Sequence, residues 1–295
     1  MKIRFWGVRG SIPSPGFNTV RHGGNTTCIE VKTDGGQTII LDAGTGIYPL
    51  SQQLLKEMPL TCDIFITHTH WDHIQGLPFF LPLFMSGNRI RIYGTFDPLL
   101  QKDIGDALKD QMAYCYFPVR ETELAADIQY TSLRERQTIE IGSTLVTGIL
   151  MNHTSLNFGY LIEERGKKVF FTGDNEKLFN IYDPEDDCHE EYDKIIQEKN
   201  DFLHNFIRGV DVVIADSAYT VDEYLTKRGW GHGTYDYCID MATKAKARSL
   251  YFTHHEPLRG DDELDTIEKQ LRTRFSSSPG TPLLYMAHEG LEINL

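Results

Sequence analysis

The chain has 295 residues and a formal net charge of −13, from 29 Lys and Arg against 42 Asp and Glu. A composition that is 40% hydrophobic and 11% aromatic supports a packed core and argues against intrinsic disorder. The acidic balance predicts that the partner is not a nucleic acid, since proteins that bind one usually present a basic face. It argues equally against binding to anionic membranes.

Targeting and membrane signals are also missing from the sequence pattern. The first residues, MKIRFWGVRGS, lack a long apolar core. The most apolar stretch, residues 76–85, is shorter than the roughly 20 residues that cross a bilayer. The five Cys never form a CxxC pair, which is typical of reduced thiols in a cytosolic protein. We therefore expect a cytoplasmic protein with no membrane partner.

In chain order, short runs of strand-forming residues are separated by Gly, Asn and Asp. Strands are predicted at residues 3–8, 28–33, 38–41, 62–67, 89–93, 128–131, 138–141, 144–150, 159–162, 169–172, 210–215, 249–253, 283–286 and 291–293. Helices are predicted at residues 47–57, 98–112, 192–206, 235–247 and 261–275. No linker or repeat interrupts the chain, so we expect one α+β domain, residues 1–295, built of two sheets that are each covered by helices.

The strongest chemical signal directly follows the predicted strand at 62–67. The chain there reads HTHWDH, which places His68, His70, Asp72 and His73 within six residues. Imidazole and carboxylate together suit Zn, Fe or Mn. The alternative is a polar loop with incidental histidines, and the tight spacing after an apolar strand argues against it.

Three later polar residues also follow apolar runs. His153 comes after the run at 144–150, Asp174 after VFFTG and His254 after SLYFT. Each alone is more typical of a capping or loop residue. Together with the hexapeptide they supply five His and two Asp, too many for one tetrahedral zinc and suited to two metals with a bridging carboxylate.

These motifs resemble the metallo-β-lactamase superfamily, whose signature is HxHxDH followed by a separate His, Asp and His. The resemblance covers nearly the whole chain, from FWGVRGSIPSPG and LDAGTG through TGD to THHEP. It implies an αββα sandwich, two β-sheets flanked by helices, with two divalent ions at one edge: zinc first, Mn or Fe as alternatives. The ligands that it implies are His68, His70 and His153 for one metal, Asp72, His73 and His254 for the other, and Asp174 as the bridge. His255 is the alternative to His254 as the last ligand.

Two further segments narrow the resemblance to the branch of ribonuclease Z and the cyclic-nucleotide phosphodiesterases. GHGT at 231–234 is similar to the His-Ser-Thr element of that branch, with Gly233 in place of Ser, and DVVIADSAY contains an acidic residue, Asp216. This similarity implies that His232 is a general acid oriented by Asp216, with Thr234 as a candidate substrate-binding residue. Asp72 counts as catalytic as well as metal-binding. The alternative for His232 is a loop residue without chemistry.

The residues around these motifs are expected to play supporting parts. Asp42, in LDAGTG, is expected to accept backbone hydrogen bonds that support the ligand loop. For Arg9, Arg21 and His22 we expect solvated roles, with contact to phosphate as the alternative.

The sequence therefore predicts a hydrolase, most specifically a dinuclear phosphodiesterase. Hydroxide that bridges the metals would attack phosphorus, and His232 would protonate the departing oxygen. The charge of −13 and the lack of an insert resembling a tRNA-gripping arm favour a small phosphodiester substrate such as a cyclic nucleotide. The alternatives are a ribonuclease Z-type endoribonuclease, a thioester or lactone hydrolase, a di-iron protein that binds dioxygen, and a sensor. Apolar segments at 76–85 and 114–119 suggest a homodimer contact.

Overall fold

The computed structural model describes residues 1–295. Its β-strands are β1 (Lys2–Gly7), β2 (Cys28–Lys32), β3 (Thr38–Leu41), β4 (Thr61–Phe65), β5 (Arg89–Gly94), β6 (Asp127–Ser132), β7 (Thr138–Ile141), β8 (Thr144–Met151), β9 (Asn157–Glu164), β10 (Lys167–Phe171), β11 (Val212–Asp216), β12 (Ser249–Thr253), β13 (Leu283–Met286) and β14 (Glu292–Asn294). Its α-helices are α1 (Ile47–Leu54), α2 (Trp71–Ile74), α3 (Ile104–Gln111), α4 (His189–Phe206), α5 (Val221–Tyr224), α6 (Tyr235–Lys244) and α7 (Asp261–Phe275).

The strands form two mixed sheets of seven strands each. The first has the order β14-β1-β2-β3-β4-β5-β6 and the second β13-β12-β11-β10-β9-β8-β7. In the second sheet β10, β11, β12 and β13 run parallel, while β8 and β10 are both antiparallel to β9. The carboxyl ends of β8, β10, β11 and β12 therefore lie at one edge of this sheet.

The continuous apolar runs of the central strands arise because both faces of each sheet are covered. In β11, Val212 and Ile214 point between the two sheets, whereas Val213 and Ala215 point toward helices. The same alternation separates Ile39 and Leu41, which face the other sheet, from Ile40, which packs under α1. Period-2 alternation of this kind lets one short strand contribute to two cores.

The two sheets and the helices on their outer faces form four layers, with a buried cluster between each pair of neighbouring layers. One lies between the sheets, with residues from both. A second joins the second sheet to α4, α6 and α7, and a third joins the first sheet to α1 and α3. This is the αββα sandwich that the sequence predicts. That the chain is one domain stays a prediction. No helix combines the length and apolarity needed to cross a membrane.

The differences from the predicted elements have local causes. The helix predicted at 98–112 begins only at Ile104, because the Asp103 carboxylate accepts the Asp106 N–H at 2.8 Å and caps the helix there. Helix α4 begins at His189, three residues before its predicted start at 192, and Glu190 and Glu191 occupy its first turn, where they interact favourably with the helix dipole. The one-turn helices α2 and α5 are too short to produce a periodic pattern.

Candidate metal centre

The strand ends bring the predicted ligands to one edge of the sandwich. His153, Asp174 and His254 follow β8, β10 and β12 of the second sheet, and His68 follows β4 of the first. Helix α2 starts immediately after His70 and carries Asp72 and His73. Residues that are up to 186 positions apart, His68 and His254, therefore share one site.

The first group of candidate ligands consists of His68, His70, His153 and Asp174, whose donor atoms lie within 4.8 Å of one another. His153 Nε2 lies 3.1 Å from His70 Nδ1. Asp174 Oδ2 lies 3.6 Å from His68 Nε2 and 3.8 Å from His153 Nε2. His70 is exposed and His153 is partly exposed, so this group opens to solvent.

The second group consists of Asp72, His73, Asp174 and His254, again with donor atoms within 4.8 Å and all four residues buried. Asp174 Oδ1 lies 3.2 Å from both His73 Nε2 and His254 Nε2. Asp72 Oδ2 lies 3.3 Å from His73 Nε2 and 3.1 Å from His254 Nε2. Asp174 belongs to both groups, one oxygen facing each, as expected for a bridging carboxylate.

Unpartnered donor atoms test whether these residues fit a metal. His68 Nε2, His73 Nε2 and Asp174 Oδ1 are buried without a hydrogen-bond partner. Buried polar atoms are normally hydrogen-bonded, and these three point into the site where a cation would accept their lone pairs. Imidazole and carboxylate donors fit divalent ions such as Zn, Mn or Fe, so the residues fit the two-metal arrangement.

Other contacts orient the candidate ligands. Asp42 accepts a hydrogen bond from His73 Nδ1 at 2.7 Å, from the Thr67 N–H at 2.7 Å and from the Thr67 hydroxyl at 3.0 Å. His153 Nδ1 lies 2.8 Å from the Gly231 carbonyl oxygen. In each case the Nδ1–H is held, which presents Nε2 to the site. Asp42 therefore supports the ligand loop in the way that the sequence predicts.

The two groups differ in the direction of their pKa shifts. Burial lowers the pKa of His68, His70 and His153 below the usual histidine value. Burial also acts to lower the pKa of His73, but the carboxylates of Asp174 and Asp72 outweigh it and raise the pKa well above the usual value.

His254 shows the same balance as His73. Burial opposes its protonation, and the carboxylates of Asp174 and Asp216 outweigh burial and raise its pKa. The carboxylates of the second group therefore favour protonation of its histidines, whereas burial favours the neutral imidazoles of the first group.

The structure distinguishes the two neighbouring histidines at the end of β12. His254 has a φ of 59°, in the left-handed region, and this backbone turn places its ring among the candidate ligands. His255 Nε2 instead lies 2.8 Å from the Ala287 carbonyl oxygen, outside both groups. The preference for His254 over His255 agrees with this geometry.

The predicted acid pair lies beside the second group. His232 Nδ1 is 3.0 Å from Asp216 Oδ2, and its ring stacks on His254 with centroids 4.8 Å apart. Burial acts to lower the pKa of His232, but the Asp216 carboxylate outweighs it and raises the pKa to about 9. Thr234 caps α6, since its hydroxyl accepts the Tyr237 N–H at 3.1 Å. A substrate contact of Thr234 stays a prediction. The catalytic roles of His232 and Asp216 and the metal-binding roles of the candidate ligands stay predictions as well.

Several residues near the site were missed or misplaced by sequence reasoning. Arg9 is fully buried and donates to the carbonyl oxygens of Gly23 at 2.7 Å and Arg259 at 2.7 Å, so the solvated role predicted for it is wrong. The Ser11 N–H donates to Asp72 Oδ2 at 2.7 Å. Glu176, two residues after Asp174, is buried. No sequence signal marks these roles, because their partners are distant in the chain.

A cavity of about 920 Å³ adjoins the open side of the first group, with His153, Asn152 and Asn175 in its wall. Apart from His153, its charged lining is four acidic and two basic side chains: Asp97, Glu135, Glu176, Glu198, Arg136 and Lys199. The cavity reaches α4, where Phe202 and Leu203 contribute apolar surface. A substrate held here would have one end at the first group.

Known proteins share this sequence pattern and this fold. The family model described as the β-lactamase superfamily domain matches residues 37–255. A relative from Picrophilus torridus named ribonuclease Z is 23% identical over 320 aligned positions, which cover 100% of this chain and 96% of the relative.

Solved structures with the same fold cover the whole chain as well. The metallo-β-lactamase fold protein YhfI from Bacillus subtilis superposes with a TM-score of 0.67 at 17% identity, covering 99% of this chain and 98% of its own. The short form of human tRNase Z superposes with a TM-score of 0.63 at 18% identity, and the match covers 100% of this chain and 99% of the human chain.

These findings correct one prediction. The acidic net charge predicted that the partner is not a nucleic acid, and this prediction is wrong, because a relative aligned over 96% of its length is named ribonuclease Z. Net charge sums the whole surface, whereas phosphate binding depends on the local potential, which a divalent ion can dominate. The sum of −13 therefore could not exclude such a substrate.

Proposed function

The chain belongs to the β-lactamase superfamily and is a metal-dependent hydrolase, and we propose that it is a phosphodiesterase whose substrate is RNA. The observation that carries the proposal is the His232–Asp216 pair, 3.0 Å apart, beside the candidate metal ligands. A simple activated ester needs no acid to release its leaving group. An alkoxide leaving from phosphorus does, and a histidine held by a carboxylate can supply that proton.

The two groups of candidate ligands would each hold one divalent ion, with Asp174 between them. Two divalent ions at this place supply positive charge for the phosphate oxygens and an activated water near neutral pH. Zinc is our first assignment, with Mn or Fe as alternatives, because all three accept imidazole and carboxylate.

The residues of the chain then have separate tasks. Asp216 accepts the Nδ1–H of His232, which leaves the Nε2–H to protonate the departing oxygen. The Asp216 carboxylate raises the pKa of His232 to about 9, which favours the protonated form that a general acid requires. Asp72, held by the Ser11 N–H at 2.7 Å, stays fixed beside His73 and His254. His68 and His73 are buried, whereas the side of the site at His70 is open to solvent.

RNA is supported as the substrate by the relative named ribonuclease Z, which aligns over 96% of its length. The open side of the first group gives a strand access, since His70 and the neighbouring Trp71 are both exposed. An exposed aromatic ring beside a cleavage site suits stacking of an unpaired base.

A small phosphodiester, such as a cyclic nucleotide, is a second candidate, and the charges around the cavity favour it. Only Arg136 and Lys199 among the charged lining residues are basic, apart from His153. Binding a long strand normally uses many phosphate contacts, whereas one phosphate at a two-metal site needs few.

The deciding experiment compares wild type with His232→Ala on end-labelled single-stranded and structured RNA, on 3′,5′-cyclic AMP and on bis-p-nitrophenyl phosphate. We expect kcat on the preferred phosphodiester to fall by about 100- to 10,000-fold, while metal content stays at the wild-type level. The kcat of Asp216→Asn should also fall, but by a smaller factor. This substitution weakens the orientation of His232 while His232 itself remains as the proton donor.

Three outcomes would count against this assignment. Loss of metal in His232→Ala would make His232 a ligand. Full activity of His232→Ala would remove the acid role. Hydrolysis of a thioester or a lactone, with every phosphodiester left intact, would reject the phosphodiesterase reading.

A further inference from the structure

The loop that precedes His232 is held by hydrogen bonds to a buried carboxylate. The proposed mechanism does not use this carboxylate. Glu176 is 3% exposed and accepts three hydrogen bonds from one segment of chain. The donors are the Tyr224 hydroxyl at 2.6 Å, the Gly229 N–H at 2.7 Å and the Gly231 N–H at 2.9 Å. Both ends of the loop 224–231 are therefore fastened to one side chain.

This loop touches both parts of the candidate site. The Gly231 carbonyl oxygen lies 2.8 Å from His153 Nδ1, and Gly231 directly precedes His232. Gly231 has a φ of 89°, which favours glycine, and a Cβ there would overlap His153 Nδ1. The peptide between Gly231 and His232 therefore sets the orientation of the His153 ring through its carbonyl oxygen. The same peptide fixes where the backbone of His232 begins.

The backbone around Glu176 is also joined to the His153 segment. The Glu176 N–H donates to the Asn152 carbonyl oxygen at 2.8 Å, and Asn152 Nδ2 donates to the Glu176 carbonyl oxygen at 3.0 Å. Asn175 Oδ1 accepts the Asn152 N–H at 3.2 Å. Since Asp174 immediately precedes this segment, three elements of the site converge on the residues 174–176.

We propose that Glu176 is a positioning residue that couples the first group of candidate ligands to His232 through the loop 224–231. Its carboxylate has only acceptors, which suits three donors. A glutamine of the same size would turn an amide N–H toward one of these donors, leaving a buried donor unpaired and releasing part of the loop.

The test compares Glu176→Gln with Glu198→Gln, the matched control. Glu198 lines the same cavity and is exposed, so its substitution removes the same charge without touching the loop. Zinc affinity is measured by competition with a chromophoric chelator, which resolves the tighter and weaker sites. We expect Glu176→Gln to weaken one of the two sites by about 10- to 100-fold, the range for partners that orient metal ligands, and Glu198→Gln to keep both zinc affinities at their wild-type values.

Kinetics supply the second measurement, and only this part depends on the proposed function. Because His232 is displaced as well, kcat should fall for Glu176→Gln by about 10-fold or more with KM nearly unchanged, the pattern of an interaction made in the transition state. If wild type cleaves no phosphodiester, the proposed function fails while the zinc measurement still decides the role of Glu176.

Tyr224→Phe is the second variant and decides the question if Glu176→Gln does not fold. It removes one of the three donors and should weaken the same zinc site by several-fold. The proposal is overturned if Glu176→Gln lowers the unfolding temperature but leaves zinc affinity and kcat at wild-type values, which is a merely structural role. It is also overturned if Glu198→Gln weakens zinc as much, which would make the effect one of charge alone.

Discussion

His70 and His153 of the first group reach toward solvent, whereas Asp72, His73 and His254 of the second group are buried. The first group is oriented by backbone, through the Gly231 carbonyl oxygen on His153. The second is oriented by a side chain, through the Asp42 carboxylate on His73. The difference teaches that one site is held by the conformation of a loop and the other by buried charge.

The charges follow the same division. The second group places several carboxylates around two histidines, and these carboxylates raise the pKa values of both rings. The first group has histidines with lowered pKa values and presents neutral imidazoles. A metal therefore meets open donors in one group and competing protons in the other.

The largest effect is expected where the two groups meet. Asp174→Ala removes the only carboxylate that both groups share. Each group would lose a ligand, and the repulsion between the two divalent ions would no longer be offset by a carboxylate between them. We expect both zinc affinities to fall by more than about 100-fold, beyond the range for outer partners, and hydrolysis to disappear. Measured zinc content after dialysis checks this. Retention of one full-affinity ion would assign Asp174 to a single group.

A smaller and selective effect is expected from Asp42→Asn. Asp42 contacts His73 and Thr67 but no residue of the first group other than through Thr67, whose hydroxyl lies 3.1 Å from His68 Nδ1. We expect about 10- to 100-fold weaker zinc binding in the second site and a much smaller change in the first. Equal weakening of both sites in a chelator titration would contradict the separation of the two groups.

The smallest expected effect is the pH dependence of metal binding, which differs between the two groups. Metal ligation requires neutral imidazole. His73 and His254 have raised pKa values, so protons compete with the metal at both residues, and binding at the second site should release protons and strengthen as the pH rises. His68, His70 and His153 have lowered pKa values, so the first site should be nearly independent of pH above 6.5.

Titration calorimetry in two buffers of different ionisation enthalpy measures this proton release for each binding step. Release from one step alone is the expected result. Equal release from both steps, or from neither, would show that the groups do not differ in their protonation.

Most of the fold was predictable because its signals are local. The strand β3 and the helix α7 match the predicted bounds, since apolar alternation and helical spacing depend on near neighbours. Helix α2 was not predicted, because a single turn held by tertiary contacts carries no periodic signal. The start of α3 depended on a cap at Asp103 rather than on the pattern of apolar residues.

The candidate ligands were also predictable, because their residue types are concentrated in short motifs at strand ends. The residues that hold the ligands were not. No motif in the sequence marks Glu176, and Arg9 was expected to be solvated, yet both are buried. Burial is decided by segments that pack against a residue, and these come from distant parts of the chain.

By itself, the sequence of this protein determined the strand pattern, the order of the ligands and the family that these motifs resemble, since each depends on residue type and short spacing. Only the tertiary structure decided that one group of candidate ligands is open to solvent and the other is buried, and that Glu176 accepts hydrogen bonds from the loop before His232. The physical reason is that hydrogen bonds such as Arg9 to Arg259, 250 residues apart, depend on chain path, which no local pattern records.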